Sequence, residues 1–330
     1  MRAAYYQENG PARAVLKIGE QPTPEPGPGE VRVQVKVSGV NPSDVKSRRG
    51  GGRVPGFPLT IPHSDGAGII DAVGAGVDPA RIGERVWLWN GQWRRPFGTA
   101  AAFVALPAAQ AVPLPANVSF EIGACLGIPL LTAWRAVHWR PIRPTETMGE
   151  TMLVAGGAGS VGHYAVQLAK RAGYRVIASV SSAEKAAIAR AAGAEAVVEY
   201  HSQDVAEAVR VFTGGAGIDR VVEVNLSANA GRYVEYLRHE GLAVVYGSND
   251  WATPLPLGAW LVHGIELALF IVYELPPAIR AAAIAATTDL LADPGFEHRI
   301  AARFPLDRIA EAHEAVETGK LIGNVVVTLD

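Results

Sequence analysis

Hydrophobic and polar positions change their period along the chain. Over residues 31–37 valines alternate with Arg32, Gln34 and Lys36, the two-residue repeat of a half-buried strand. Short apolar runs over 67–73 and 85–88, set between Gly and Pro punctuation, read as further strands, so the first 120 residues predict a β-rich unit. From 120 to 138 the pattern turns helical. From 151 to 247 strand-like and helical segments alternate, as in a parallel doubly wound α/β sheet. Its strands are expected over 152–155, 175–180, 196–200, 220–224 and 242–246, with helices such as 205–213 and 230–238 between them. Beyond about residue 270 come more helix, a helix over 309–318 and a closing strand over 324–329. This order predicts a β-rich unit over 1–122, interrupted by an α/β unit over 123–268 and resumed over 269–330.

The most informative junction lies between the first α/β strand and its helix. There Gly157-Ala158-Gly159-Ser160-Val161-Gly162 has the G-x-G-x-x-G spacing of a dinucleotide-binding turn. With 36 glycines in the chain the spacing alone is weak, and its context carries the reading. An apolar run precedes the turn, and Val161, Ala165, Leu168, Ala169 and Ala172 follow at helical spacing until Gly173 offers a left-handed stop. Gly157 permits the tight turn, Gly159 lets a pyrophosphate approach the backbone, and Gly162 lets helix and strand pack closely. The phosphates would sit on the N–H groups and positive dipole end of the helix.

The end of the second α/β strand selects between the two nicotinamide cofactors. An NAD site usually carries Asp or Glu there for the ribose 2′-hydroxyl. Here the positions hold Ser181 and Ser182, with Lys185 one turn later. Hydroxyls and an ammonium can hold a 2′-phosphate through charge-assisted hydrogen bonds, which predicts NADPH over NADH. The plainer alternative makes Ser181-Ser182-Ala183-Glu184 a capping box with Ser181 as the cap, and Lys185 a solvated lysine.

Composition narrows the classes. The chain has 330 residues, 49% of them hydrophobic and 19% charged, enough for two cores. A formal net charge of −2 without blocks of like charge offers no field for nucleic acid and no polybasic membrane anchor. A single cysteine, Cys125, excludes an internal disulfide framework and suits a reducing compartment; flanked by Gly123, Ala124 and Gly127 it reads as a small buried residue. The N-terminus lacks a signal-peptide core, and the most apolar stretch, 260–275, is broken by His263 and Glu266, so cytoplasmic residence is expected.

Taken with the glycine turn, the segments Pro24-Glu25-Pro26-Gly27-Pro28-Gly29-Glu30-Val31, Gly39-Val40-Asn41-Pro42-Ser43-Asp44, His63-Ser64-Asp65-Gly66-Ala67-Gly68, Pro113-Leu114-Pro115 and Gly127-Ile128-Pro129-Leu130-Leu131-Thr132-Ala133 resemble the medium-chain dehydrogenase/reductase superfamily. Within it the chain resembles the zinc-independent quinone oxidoreductase, or zeta-crystallin-like, branch. The resemblance implies a GroES-like catalytic domain around a Rossmann domain, with Asn41 and Asp44 beside the nicotinamide and Thr132 on its ribose or amide. It also places Tyr200 by the 2′-phosphate and Tyr246, Gly247, Ser248 and Asn324 near the nicotinamide end, and suggests a homodimer or higher homo-oligomer. Departures are Asn225 and Leu226 in place of the usual Val-Gly, Asn324 for a common lysine and Ala102 for a common glutamate.

Zinc divides this superfamily. Asn41 stands where the zinc forms have cysteine and Ser64 where they have histidine, leaving His63 with Asp65 as the remaining candidate ligands. No metal is therefore expected. Without Lewis-acid help the acceptor must take hydride readily, which points to quinones, or to enones and enals reduced at C=C, as small-molecule electrophiles. A non-catalytic NADPH-binding sensor, RNA-binding or structural protein is the alternative of another class. Near the cleft that the resemblance implies, Trp87, Trp89, Trp93 and Arg94-Arg95 either stack a planar quinone or pack a loop. His163, His201, His239, His298 and His313 have no acid or nucleophile pattern around them and read as packing or surface residues.

Overall fold

A computed structural model describes residues 1–50, 57–140 and 149–329. It divides into two compact units, Met1–Pro129 with the residues from His298 onward, and Leu130–Glu297. The first unit contains β1 (Arg2–Tyr5), β2 (Lys17–Glu20), β3 (Glu30–Val40), β4 (Asp65–Val73), β5 (Arg85–Leu88), β6 (Phe103–Pro107) and β7 (Ala111–Pro113). The second contains β8 (Thr151–Ala155), β9 (Arg175–Val180), β10 (Ala196–Glu199), β11 (Ile218–Glu223), β12 (Leu237–Val245) and β13 (Glu266–Leu269). The chain then returns to the first unit with β14 (Ile300–Pro305) and β15 (Asn324–Thr328).

In the first unit the strands run β14-β15-β3-β4-β5-β7, with β6 also paired to β3. β3 is the spine: Val31, Val33, Val35 and Val37 are buried while Arg32, Gln34 and Lys36 are partly exposed, so the alternation in the sequence becomes the inside and outside of the sheet. Val31, Val33 and Val35 join Ile70, Val86, Leu88, Val104, Leu106, Val325 and Val327 in one core, while Val37 packs with Ala124, Cys125 and Val326 in another.

In the second unit all strands are parallel, in the order β10-β9-β8-β11-β12-β13. The order reverses between β8 and β11, and in such sheets ligands bind outside the carboxyl ends of the strands at that switch. The glycine turn leaves β8 at that end. The unit is longer than expected from the sequence. Its limits fall at 129/130 and 297/298 in place of 122/123 and 268/269, because the helix Pro277–Leu291 packs on the helix Leu131–Val137.

Two helix expectations are corrected. The single helix over 120–138 is a short turn Phe120–Gly123, a π-helical turn Leu126–Leu130 and a helix Leu131–Val137. Pro129 supplies no N–H for a regular ladder, which accounts for the change of register there. The helix over 230–238 stops at Tyr236, and β12 begins at Leu237, where it pairs with Ile218 of β11 ahead of an irregularity in register. Among the described residues no helix is long and apolar enough to cross a membrane.

Candidate functional site

The glycine turn is shaped by close contacts. A Cβ added at Gly157 would lie 2.6 Å from the Ala178 Cβ on β9, and one at Gly162 would lie 2.1 Å from the Gly156 carbonyl oxygen. Both glycines are therefore required by packing. Gly159 differs: a Cβ there would meet a single atom within 4 Å, Gly156 O at 3.3 Å, so it is tight on that one side and otherwise unobstructed. The helix Ser160–Arg171 begins there without a side-chain cap, and Gly173 closes its far end with φ of 92°. A helix start without a side-chain cap, at the positive end of the helix dipole, suits an anionic pyrophosphate.

At the end of β9, Lys185 Nζ donates to Ser181 Oγ at 3.0 Å, and both residues are partly exposed. The cap of the helix Ala183–Ala191 is Ser182, whose Oγ accepts from Lys185 N at 3.4 Å. This corrects the expectation that Ser181 caps: the two functions are divided between adjacent serines, and the Ser181 hydroxyl lies against the ammonium. Tyr200 follows β10 and is 46% exposed, its ring 4.5 Å from that of His201.

Residues 223–253 form a polar latch that the sequence did not disclose. Glu223, at the end of β11, is fully buried and accepts hydrogen bonds from Asn225 N (2.6 Å), Asn229 Nδ2 (3.0 Å) and Tyr233 OH (3.0 Å). Burial pushes its pKa up, and these donors act against that shift. Asn225 Oδ1 accepts from Ser227 Oγ and Asn249 N, both at 2.9 Å. Ser248 Oγ accepts from Ser227 N at 3.2 Å and donates to Asp250 O at 2.6 Å. Asn225, a departure from the family pattern, thus ties together the loops after β11 and β12. Tyr246 and Gly247 lie at the start of the second loop, where a Cβ on Gly247 would meet Val224 O at 2.5 Å. Thr132 is buried near the start of the helix Leu131–Val137 in the same unit.

In the first unit, Asn41 and Asp44 come together at the start of the helix Pro42–Arg49, where Asp44 Oδ2 accepts from Asn41 N at 2.8 Å. Asn41 Nδ2 donates to Asp65 Oδ2 at 2.9 Å. Both Asn41 and Asp44 are buried, and they form the capping box of this helix. Asn324 opens β15 and donates Nδ2 to Arg299 O at 3.1 Å.

His63 is not placed as a metal ligand. Thr99 Oγ1 donates to Asp65 O at 2.5 Å, and a hydroxyl has one hydrogen, so it accepts from Ser38 Oγ at 2.7 Å. Ser38 Oγ in turn accepts from His63 Nδ1 at 2.8 Å, and His63 Nε2 accepts from His313 Nε2 at 2.9 Å. The chain of donors fixes His63 as the neutral imidazole protonated on Nδ1 and makes His313 Nε2 a donor. His63 also has a φ of 77° where glycine would be unstrained. Among the described residues no three His, Cys, Asp or Glu side chains gather as metal ligands. The only cysteine is buried, its Sγ donating to Glu121 O at 3.2 Å.

Burial lowers His63 to about 3, and lowers His313 well below the ordinary histidine value, with His63 and Arg48 adding to the effect. The unfolded chain takes up protons below about pH 6.5 while the folded pair stays neutral, so acid costs stability, roughly 1.4 kcal/mol per pH unit for each buried histidine. Denaturant melts of the wild type and an H63G/H313L variant at pH 7 and pH 5 check this. The wild type should lose the greater part of the difference, and equal losses would contradict the assignment.

The tryptophan cluster divides. Trp87 is fully buried in β5, and Arg95 binds Gln110 Oε1 and Ala105 O, which is loop packing. Trp93 and Arg94 retain the form of a recognition pair, with the guanidinium 5.5 Å from the ring centre and Arg94 at φ of 57°.

A six-stranded Rossmann sheet with a dinucleotide turn, in one chain with a β-rich unit, defines a nicotinamide-linked oxidoreductase of two domains. Residues 27–116 match the alcohol dehydrogenase GroES-like domain, and 160–288 match the zinc-binding dehydrogenase family. The chain is 30% identical to the quinone oxidoreductase of Homo sapiens, over 98% of its own length and 97% of the relative. It is also 30% identical to a 2-haloacrylate reductase of Burkholderia sp, over 99% and 98%. The solved quinone oxidoreductase of Escherichia coli complexed with NADPH superposes with a TM-score of 0.90 at 26% identity, covering all of both chains. The chain belongs to the medium-chain dehydrogenase/reductase superfamily, in its quinone oxidoreductase, zeta-crystallin-like branch.

Proposed function

We propose that this protein is an NADPH-dependent, zinc-independent reductase of quinones. The observation that carries the cofactor choice is the Ser181–Lys185 pair at the end of β9, with no carboxylate at that strand end. The fit of the cofactor rests on the glycine turn, where Gly159 has one neighbouring atom within 4 Å of an added Cβ, and on a helix start without a side-chain cap, where residues 157–162 would hold the pyrophosphate. Tyr200 would pack beside the 2′-phosphate, and Thr132, Tyr246, Gly247, Ser248 and Asn324 would form the nicotinamide end, together with Asn41 and Asp44. NADPH supplies a hydride when bound. The protein's part is to fix the acceptor, exclude water and set amide donors toward the oxygen on which charge develops. Asn41 and Ser64 at the zinc-ligand positions, with the His63 nitrogens committed to Ser38 and His313, support the metal-independent reading.

A second reading, reduction of an activated C=C bond, is favoured by the likeness to a 2-haloacrylate reductase. A panel of para-quinones and enones separates the two. Hydroquinone formation at a higher kcat/KM than any loss of enone absorbance supports quinone reduction, and the reverse order assigns the enzyme to alkenes.

We also propose a homodimer through the outer edge of β13, in a reducing cytoplasmic setting. β13 is the last strand of its sheet; Leu269 on it is 61% exposed, and Leu261 and Val262 on the preceding helix Leu257–His263 are 73% and 82% exposed. Light scattering on the wild type and an L261K variant tests this: a dimer dissociated by the substitution is expected, and a wild-type monomer would end the proposal.

A further inference from the structure

Asp65, the first residue of β4, has no exposed surface. One of its oxygens makes all of its side-chain hydrogen bonds: Oδ2 accepts from Asn41 Nδ2 at 2.9 Å and from Ile128 N at 3.0 Å. Oδ1 has no hydrogen-bond partner among the described residues. The neighbouring backbone leaves room for this group and little else. A Cβ on Gly127 would lie 2.4 Å from Asp65 Oδ1, and one on Gly39 would lie 3.0 Å from Asp65 Cβ. A buried carboxyl with a bare oxygen is costly, and a role in packing alone would be met at lower cost by an apolar side chain.

The bonding dictates how the Asn41 carboxamide faces. Because Oδ2 accepts the Ile128 N–H, any proton on the carboxyl resides on Oδ1, and Oδ2 is an acceptor in either charge state. Asn41 must then turn Nδ2 toward Asp65 and its carbonyl oxygen away. Its backbone N–H is held at the same time by Asp44. The Asn41 side chain also faces the Asp44 backbone N–H, as the other half of a capping box, so Asn41 is held on both sides of its carboxamide while one amide hydrogen is left for other partners. The third tie, Ile128, lies in the π-helical turn just before the chain enters the second unit.

We infer that Asp65 is a positioning residue for the reduction, holding the Asn41 carboxamide in the single flip that offers its remaining amide hydrogen to the bound reactants. This rests on the reading that Asn41 lies beside the nicotinamide. The test is a double-mutant cycle on kcat with NADPH and para-benzoquinone, using N41A, D65A and the double variant, with NADPH binding measured in parallel. Each single variant is expected to lose about tenfold in kcat, and the double about the same tenfold, because the two side chains act as one unit. NADPH affinity should stay within about threefold in all of them. D65N, which keeps an acceptor oxygen for Asn41 and Ile128, should recover most of the lost rate. Losses that multiply to about a hundredfold in the double variant, or full kcat in D65A, overturn the inference. If D65A does not fold, D65N decides alone: a tenfold loss at unchanged melting temperature overturns the inference, and a rate within about threefold of wild type supports it. An N41A enzyme at full rate removes the reading of Asn41 itself and this inference with it, an outcome distinct from the others.

Discussion

Gly162→Ala is expected to abolish measurable NADPH binding and to lower stability by about 3 kcal/mol, the upper end of what overpacking usually costs. The added methyl would lie 2.1 Å from the Gly156 carbonyl oxygen, with the Gly156 carbonyl carbon at 2.8 Å and the Gly157 Cα at 3.0 Å. These are backbone atoms with no rotamer to change, so the helix Ser160–Arg171 must lift from the turn, and its N–H groups leave the position that the pyrophosphate needs. Gly159→Ala is the discriminating partner. Its nearest neighbour would be 3.3 Å away, so the fold should survive with a loss below about 1 kcal/mol while the methyl occupies the space of the phosphates. Calorimetric melting and cofactor titration of the two variants check this. A Gly159→Ala protein that binds NADPH as well as wild type would place the pyrophosphate elsewhere.

Lys185→Ala should weaken NADPH binding by about 1–3 kcal/mol, roughly fivefold to 160-fold, and leave NADH nearly unchanged. The ammonium is partly buried and lies 3.0 Å from the Ser181 hydroxyl, a spacing from which both groups can reach one phosphate. Ser182, and not Ser181, caps the following helix, so Ser181→Ala should reduce NADPH affinity without the roughly 1 kcal/mol that loss of a cap costs. Parallel titrations with the two cofactors provide the measurement. Equal weakening of both would mean that Lys185 supports the helix and not the phosphate.

The features that could be read in the sequence are those governed by local period and by glycine. Alternation in β3, the limits of β5 and β9 and the helix Val205–Thr213 appear as expected. The glycine turn is legible because its steric demands are met by its own strand and helix. What the sequence concealed depends on contacts between distant residues. Asp65 meets Asn41 and Ile128 only when β3, β4 and the π-helical turn are assembled, and His63 meets His313 across 250 positions. Glu223 read as an ordinary strand residue, since nothing local showed that Asn229 and Tyr233 would converge on it. The density of tryptophan suggested recognition at Trp87, yet β5 is covered on both faces, with Val86, Trp87 and Leu88 all buried.

The central claim is that this chain passes hydride from a phosphorylated nicotinamide to an activated acceptor without a metal. Its most direct test is oxidation of NADPH and of NADH by chelator-treated enzyme with para-benzoquinone as acceptor. Turnover with NADPH at a kcat/KM at least about tenfold above NADH, unchanged by the chelator, is the expected result. Tight NADPH binding without turnover of any quinone or enone, or activity lost on chelation and restored by Zn²⁺, would contradict it.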